Sequence, residues 1–524
     1  MTRRDFIRYG GVSGAVVGVD RLLPPKRLDV RASRHMEPQV LDGSAGPIEI
    51  TIAETDVDID GRRGRAVTMN GTVPGPLLRF RQGDEAIIHV TNTLDEDTSI
   101  HWHGLILPNA MDGVPKVNFP GIRPGETFTY RYPIRQYGTY WYHSHSGLQE
   151  QLGHYGPLLI DPEGGEPEPA DREHVVVLSD WTFENPYRVL ARLKKHPDYY
   201  NFQKRTVVDF FRDVSRDGLG RTIEDRLDWG RMRMNPTDIS DITGATYVYL
   251  MNGLGPETNW TGLFEPGERV RLRFINASAA SFFDVRIPGL PMWVVQVSGQ
   301  HVVPVETDEF RIATAETYDV IVEPEDRAYT VFAEAMDRSG YARGTLATAE
   351  GVQAPLPQRR EPPLLSMADM GMAHMADGAH DMEAMGNTPE PDAHAGHDMP
   401  MAGEDMEQGG GELRPPGSAP EDATHGPDEH GPGNAGVPMM TTSRLHEPGI
   451  GLGDDPWRVL TYSELEALEH RMDFRAPDRE IELHLTGNME RFMWSIDGVE
   501  FSDSEPIRVE LGERIRLTMV NDTM

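Results

Sequence analysis

The 524-residue sequence contains no cysteine, which excludes disulfide bonds and any thiolate metal ligand. Basic residues are also few: 50 Lys and Arg stand against 84 Asp and Glu, for a net charge of −34. Nucleic acid is therefore excluded as a partner, because phosphate binding depends on Lys and Arg. Long apolar runs are missing as well, so no membrane span is predicted. The length exceeds what one hydrophobic core supports and predicts about three domains.

Four histidines form two His-x-His pairs about forty residues apart, His101 with His103 and His143 with His145. Alternate side chains of a β-strand share a face, so each pair aims two imidazoles the same way. Two such strands side by side would gather four nitrogen ligands, a donor set that suits copper, zinc, iron or nickel. Zinc hydrolases usually add a carboxylate ligand or use His-Glu-x-x-His on a helix. The sequence has neither pattern, so copper is favoured.

The residues around these pairs resemble a known family. His-Trp-His-Gly at residues 101–104 and Trp-Tyr-His-Ser-His at 141–145 are similar to the first two of the four copper motifs of multicopper oxidases. The sequence at 146–158 resembles the periplasmic copper-resistance (CopA-like) branch of that family, and the resemblance covers most of the chain from about Gly46 onward. The alternative is that the four histidines are ordinary sheet residues stacked on neighbouring aromatic rings.

The resemblance implies a role for each histidine. His101 would be a type 2 copper ligand, and His103, His143 and His145 would be type 3 ligands. In the family these coppers reduce oxygen to water and receive electrons from a type 1 copper with a cysteine ligand. Because the chain has no cysteine, type 1 ligands are absent from it. The implied activity is an oxidase acting on cuprous ion and phenols, with copper ions and oxygen as partners.

A weak long-range repeat indicates the architecture. Residues 82–92, 266–276 and 511–521 each have a turn glycine at the second position and then an acidic residue, alternate apolar and polar residues, and end at an asparagine. This alternation predicts a half-buried strand. The turn pairs that precede the three copies are Asn70-Gly71, Asn252-Gly253 and Asp497-Gly498. Together with the resemblance, the repeat predicts an all-β chain of three consecutive cupredoxin-like Greek-key β-sandwich domains.

The third domain is expected to be incomplete. In the first copy the ligand His101 follows the asparagine by nine residues, and the same offset from Asn521 would fall beyond Met524. We therefore expect a truncated family member, with a natural short variant as the alternative. The second domain is expected to be metal-free, because its equivalent stretch at 277–285 contains no histidine. The predicted division is a signal region at 1–35, domain 1 with the copper ligands at 46–165, domain 2 at 170–350, a Met/His-rich flexible segment at 354–444, and partial domain 3 at 445–524.

The N-terminus resembles an export signal. Arg3 and Arg4 precede a short, glycine-rich and weakly apolar stretch at residues 10–19, as in twin-arginine signals. An ordinary basic tail is the alternative. The prediction is a periplasmic protein exported by the twin-arginine machinery, which carries folded proteins and therefore suits a metalloprotein loaded before export.

The segment at 354–444 is rich in Met, His, Gly, Pro and Asp. Thioethers select copper(I), and imidazole accepts either oxidation state. The same composition does not build a packed core. We predict a flexible segment with auxiliary copper sites; the alternative is low-complexity sequence that binds nothing specific. The candidate auxiliary ligands are Met367, Met370, Met372, His374, Met375, His380, Met382, Met385, His394, His397, Met399 and Met401.

Two functions are compatible with these patterns. The first is a copper-dependent oxidase of periplasmic copper resistance, supported by the paired histidines, the repeats and the export signal. The second is a non-catalytic periplasmic protein that binds and sequesters copper through the Met/His-rich segment. The second gains weight for this chain because the type 1 ligands are absent from the sequence.

Overall fold

The computed structural model describes residues 38–371, 421–422, 440–441, 443–469, 475–488 and 491–523. Strands make up most of the regular structure in these residues, which confirms the predicted all-β class. No described helix is long and apolar enough to cross a membrane. The described strands form two large sheet pairs, called here the first and second sandwich, a three-stranded sheet, called here the third sheet, and a two-stranded sheet.

The first sandwich contains nine strands. They are β1 (Val40–Asp42), β2 (Ile48–Ile59), β3 (Arg62–Met69), β4 (Leu77–Arg81), β5 (Glu85–Asn92), β6 (His101–His103), β7 (Thr127–Pro133), β8 (Gly138–His143) and β9 (Tyr155–Asp161). One sheet has the order β1-β4-β9-β8-β6 and the other β3-β2-β5-β7. Alternate residues of both sheets, among them Ile50, Ile88 and Trp102, are fully buried in one shared core. Such packing of two inner faces defines a β-sandwich.

The second sandwich contains eleven strands. They are β10 (Arg172–Thr182), β11 (Tyr247–Met251), β12 (Trp260–Leu263), β13 (Val270–Asn276), β14 (Phe283–Arg286), β15 (Met292–Val297), β16 (Gln300–Thr307), β17 (Glu309–Ile312), β18 (Thr317–Val322), β19 (Tyr329–Ala335) and β20 (Tyr341–Ala347). Its sheets have the orders β11-β10-β13-β18-β15-β16 and β12-β20-β19-β14-β17. Phe274, Val320 and Val331 lie in its core.

Three helices that the sequence analysis did not predict lie between β10 and β11. They are α1 (Pro186–Lys195), α2 (Val207–Asp217) and α3 (Leu219–Met232). Asn185 caps α1 by accepting hydrogen bonds from two backbone N–H groups of its first turn. Thr206 and Asp209 form a capping box at the start of α2. These side chains satisfy backbone donors that a helix start leaves unpaired, so both starts are encoded locally.

The remaining described strands are β21 (Glu421–Asp422), β22 (Met440–Thr441), β23 (Arg479–Asn488), β24 (Met493–Ile496) and β25 (Ile515–Asn521). The last three form the third sheet, in the order β24-β23-β25. Leu517 and Met519 of β25 are 49% and 59% exposed, in contrast to the buried strands of the two sandwiches. Within the described residues, the third sheet contributes to neither sandwich core.

The sequence repeat corresponds to one strand arrangement that occurs three times. β5, β13 and β25 end at the asparagines Asn92, Asn276 and Asn521, as predicted. Each is parallel to the strand that comes one before the strand leading into the turn pair, namely β2, β10 and β23. The paired residues are Ile52 with Asn92, Leu178 with Asn276, and Leu485 with Asn521. The third sheet therefore repeats a strand arrangement that occurs in one sheet of each sandwich.

The turn residues also repeat a hydrogen bond. The Oδ1 atoms of Asn70, Asn252 and Asp497 each accept from a backbone N–H on the neighbouring strand, at 2.7 to 2.8 Å. All three residues have positive φ angles of 50° to 53°, which Asn and Asp tolerate better than most residues. The turn prediction from the Asn-Gly and Asp-Gly pairs is therefore confirmed.

A buried polar network joins the two sandwiches beside β8. The Thr139 hydroxyl donates to Asp319 Oδ1 at 2.7 Å, and its backbone N–H donates to Gln296 Oε1 at 2.8 Å. Arg273 donates to Asp319 Oδ2 at 2.7 Å and to Glu166 Oε1 at 2.8 Å. Because these groups are paired, their burial is compensated. One end of β8 is therefore fixed to the second sandwich, and its other end carries a histidine pair.

Candidate metal centre

The register between β6 and β8 brings the two histidine pairs together. His101 lies opposite His143, and His103 lies opposite Trp141. Trp102, between the first two histidines, points into the core and has no exposed surface. Because alternate residues of a strand face opposite sides, His101, His103 and His143 emerge on the outer face of the sheet. His145 follows just beyond the end of β8.

The four imidazoles border one small space. One ligand nitrogen from each of His101, His143 and His145 lies within 4.8 Å of the others. The ring centroids of these three are 4.7 to 5.5 Å apart. His103 completes the group, since its Nδ1 lies 3.2 Å from His143 Nε2. All four histidines singled out from the sequence are therefore brought together.

Two oxygen acceptors fix the orientation of the rings. His101 Nδ1 donates to the backbone carbonyl of Asp112 at 2.8 Å, and the Asp112 carboxylate lies 3.4 Å from the same nitrogen. His143 Nδ1 donates to Glu150 Oε2 at 2.8 Å. A proton on Nδ1 leaves the lone pair on Nε2, so both rings present Nε2 to the shared space. Metal-binding histidines commonly have such acceptors behind them.

The indole of one tryptophan packs against two of the imidazole rings. Trp141, which is 1% exposed, stacks on His143 with centroids 4.1 Å apart and planes inclined by 10°. His103 stacks on the same indole at 5.0 Å and 28°. The indole limits rotation of both imidazoles and keeps water from one side of the four-histidine group.

Burial favours the neutral form of three of these histidines. Together with the neighbouring imidazoles, it lowers the pKa of His103 to about 3 and of His145 to about 4. The pKa of His101 is lowered as well, chiefly by burial. Neutral imidazoles have lone pairs free for a metal at pH 7. Four imidazole nitrogens fit copper, and the nearby carboxylates of Asp112 and Glu150 offset part of a cation's charge.

The candidate auxiliary copper ligands are only partly described. Met367 and Met370 lie in a turn after the second sandwich, and Met370 is 3% exposed, so its thioether is packed in the interior. Neither residue contacts the four histidines in the described structure. The other candidates lie outside the described residues: Met372, His374, Met375, His380, Met382, Met385, His394, His397, Met399 and Met401.

Sequence reasoning missed the two acidic residues behind the rings. Asp112 lies in the loop after β6, and Glu150 begins a short 3-10 turn, Glu150–Leu152. Acidic residues are abundant in this chain, and neither position has a spacing that connects it to a histidine. Their closeness in sequence to the histidine pairs is the one signal that could have identified them.

Comparison with known proteins identifies the family. Models of multicopper oxidase domains match residues 51–165 and 172–351. A copper resistance protein A homolog of Pseudomonas syringae pv. tomato is 52% identical over all of this chain and 87% of its own length. Copper resistance protein A of Escherichia coli is also 52% identical, over all of this chain and 88% of its own length. Multicopper oxidase MmcO of Mycobacterium tuberculosis is 35% identical over 58% of this chain and 56% of its own length.

The chain therefore belongs to the multicopper oxidase family, a family of oxidoreductase enzymes that use copper. Within it, full-length similarity to the copper resistance proteins places the chain in the CopA-like branch. The family predicted from the histidine motifs is confirmed.

Proposed function

We propose that the protein is a copper-dependent oxidase of copper resistance that oxidises cuprous ion, and also phenols, while oxygen is reduced to water. The convergence of four histidines at the β6–β8 edge carries this proposal. The family membership gives the reaction class, and the donor set suits copper.

The four histidines are divided between two kinds of copper site. His101 is assigned to type 2 copper, and His103, His143 and His145 to type 3 copper. Bound copper would supply the electron transfer that oxygen reduction requires. The protein keeps His101, His103 and His145 neutral by burial. It orients His101 and His143 through the Asp112 carbonyl and the Glu150 carboxylate, and it shields one side of the site with Trp141.

The oxidase reaction needs a copper site that accepts electrons from the substrate, and this requirement limits what these 524 residues do alone. A type 1 copper needs a thiolate, and the sequence contains no cysteine. We therefore propose that this chain binds copper at the histidine group but does not turn over oxygen without a type 1 site supplied from outside the sequence.

Copper sequestration is the second candidate function. The absence of a thiolate and the Met/His-rich composition of residues 354–444 favour it. In this role the methionines bind copper(I), and the histidine group serves as an additional copper site.

The cellular setting and the domain plan complete the proposal. The arginine pair at the N-terminus and the similarity to copper resistance proteins support a periplasmic protein exported by the twin-arginine route. The domain boundaries proposed are those from the sequence, with the two sandwiches at 46–165 and 170–350 and a third domain at 445–524.

Copper content and turnover separate these functions. The full chain is loaded with copper and compared with a His101→Ala/His145→Ala variant and a His89→Ala control, whose histidine lies on β5 away from the group. We expect the double variant to lose copper that the control keeps. Equal copper content in all three proteins would contradict the assignment.

The sequestration role is tested by replacing the candidate methionines of residues 367–401 with leucine in the full chain. A fall in bound copper(I) supports sequestration, whereas unchanged copper(I) binding would exclude these methionines. Oxygen consumption with cuprous ion as the reductant measures the oxidase activity in parallel.

A further inference from the structure

Three consecutive residues after the second histidine pair, Gln149, Glu150 and Gln151, direct their side chains to three different parts of the molecule. Gln149 and Gln151 are 2% and 9% exposed, so both amides are buried. Glu150 lies between them, and its side chain is 25% exposed. The turn is therefore held from both sides, with one carboxylate left to contact the metal centre.

Gln149 anchors the turn to the first sandwich. Its Oε1 accepts from the hydroxyls of Thr98 and Ser144 at 2.7 and 2.9 Å. Its Nε2 donates to Glu96 Oε1 at 2.9 Å and to the Asp97 carbonyl at 3.0 Å. The amide thus connects the loop before β6 with the segment after β8, the two stretches that flank the histidine pairs.

Gln151 anchors the same turn to the second sandwich. Its Nε2 donates to Asp180 at 3.2 Å, and its Oε1 accepts from the Tyr247 hydroxyl at 2.5 Å. Asp180 is fixed in turn, since it accepts from the Ser281 hydroxyl and from two backbone N–H groups. Asp180 and Tyr247 lie on β10 and β11, so the second sandwich supports this turn.

Between these anchors, the Glu150 carboxylate has one described ring partner. It accepts from His143 Nδ1 at 2.8 Å, while Trp141 stacks on the face of the same ring. The hydrogen bond to the carboxylate fixes the rotation of the imidazole within its own plane, and stacking on the indole fixes the orientation of that plane. A carboxylate behind a ligating histidine also increases the electron density on the opposite nitrogen.

We propose that Glu150 is a positioning residue for the copper site: it holds His143 with Nε2 toward the metal and strengthens that nitrogen as a ligand, and the second sandwich keeps it in place through Gln151. This rests on the proposed copper binding by the four histidines. An ordinary ion pair that only stabilises the fold would affect the stability of the protein but not the metal site.

Four full-length variants test the proposal with copper(II) chloride. Glu150→Ala removes the carboxylate. Glu150→Gln keeps the volume and an oxygen acceptor but loses the charge. Gln151→Leu cuts the link to the second sandwich. Glu163→Gln is the control, because it neutralises an exposed carboxylate of the same region that has no contact with a histidine.

The readouts are the copper(II) dissociation constant by competition with a chelator, the electron paramagnetic resonance spectrum, and the melting temperature without metal. We expect Glu150→Ala to weaken binding about 10- to 100-fold. Glu150→Gln and Gln151→Leu should weaken it less, and each of the three should alter the spectrum. Glu163→Gln should match the wild type. If the alanine variant does not fold, the glutamine variant carries the test.

Two outcomes separate this inference from the proposed function. If the wild type binds copper at the histidines and Glu150→Ala keeps its affinity within twofold with an unchanged spectrum, the positioning role is wrong, whatever happens to the melting temperature. If the wild type binds no more copper than the His101→Ala/His145→Ala variant, the histidine site itself is wrong.

Discussion

His101 and His143 lie directly opposite each other across the antiparallel strands β6 and β8. This register places both His-x-His pairs on the same face of one sheet. A shift of one residue in either strand would turn its histidines into the core and expose Trp102 or Tyr142, both of which have no exposed surface. The buried aromatic residues beside the histidines, Trp102 and Tyr142, therefore enforce the alignment of the candidate metal ligands.

Copper-loaded protein of this sequence should lack the intense blue colour of thiolate-bound copper. The colour of type 1 sites depends on a cysteine ligand, and the sequence contains none. Visible absorption of the copper-loaded chain checks this prediction, with the metal-free chain as the control. A strong visible band that disappears on copper removal would contradict it.

Replacing His154 with leucine should stabilise the protein. The side chain has no exposed surface, and among the described residues neither ring nitrogen has a hydrogen-bond partner. Leaving such groups unpaired costs about 1–3 kcal/mol, which an apolar side chain of similar size avoids. Urea unfolding at pH 7 measures the gain. His89→Leu is the control, because His89 is partly exposed and contacts Thr129, and it should change stability little.

The same residue should make the wild type sensitive to acid. Burial lowers the pKa of His154 to about 3, against an ordinary value of 6.5. The unfolded chain therefore takes up this proton more readily, and stability is lost as the pH falls from about 6.5 toward 3. His154→Leu should flatten the pH dependence over this range. Parallel curves for wild type and variant would contradict the prediction.

Asp238 should have the opposite pH dependence. Burial and the nearby carboxylates of Asp241 and Asp198 raise its pKa to about 7, from an ordinary value of 3.8. The folded state then favours the protonated form, so its contribution to stability is lost as the pH rises from 3.8 through 7. Asp238→Asn should stabilise the protein by at least about 1 kcal/mol at pH 8 and have little effect at pH 4. Thermal unfolding at both pH values tests this, with the exposed Asp326→Asn as the control.

Removing Arg273 should destabilise the junction between the sandwiches. The residue is 2% exposed, and its guanidinium contacts Asp319, which has no exposed surface. Breaking a buried ion pair typically costs about 3–5 kcal/mol. Because Arg271 still contacts Asp319 in the variant, Arg273→Ala should lower the free energy of unfolding by more than about 1 kcal/mol and by up to that amount. Arg131→Ala, which removes an exposed pair with Glu85, should cost less than about 1 kcal/mol. Similar losses in both variants would show that the buried network adds no stability.

Short-range patterns allowed much of this structure to be predicted from the sequence. The i and i+2 spacing of the histidines depends on strand geometry alone, so it identified four side chains that the structure groups. The Asn-Gly and Asp-Gly turns and the alternation before Asn92, Asn276 and Asn521 also depend on local geometry. The pattern therefore predicted the turns and strands in all three copies.

The parts that were missed depend on contacts between distant segments. Gln151 reaches Asp180 and Tyr247 only after the two sandwiches meet, and no local spacing encodes that contact. The role of Glu150 follows from this contact and could not be predicted separately. The three helices were missed for another reason: their capping residues are local signals, but the repeated β-pattern around them favoured strands throughout.

The three helices between β10 and β11 lengthen that connection, which affects the entropy lost when the two strands pair. In the first sandwich two residues connect β2 to β3, whereas 64 residues separate the paired ends of β10 and β11. The cost of closing a flexible loop rises by only about 0.6 kcal/mol for each doubling of its length, so this 32-fold difference costs about 3 kcal/mol. A folded element can therefore be inserted at the end of a hairpin with only a modest increase in the entropic cost of loop closure. The strands on either side, which hold Asp180 and Tyr247, keep their pairing.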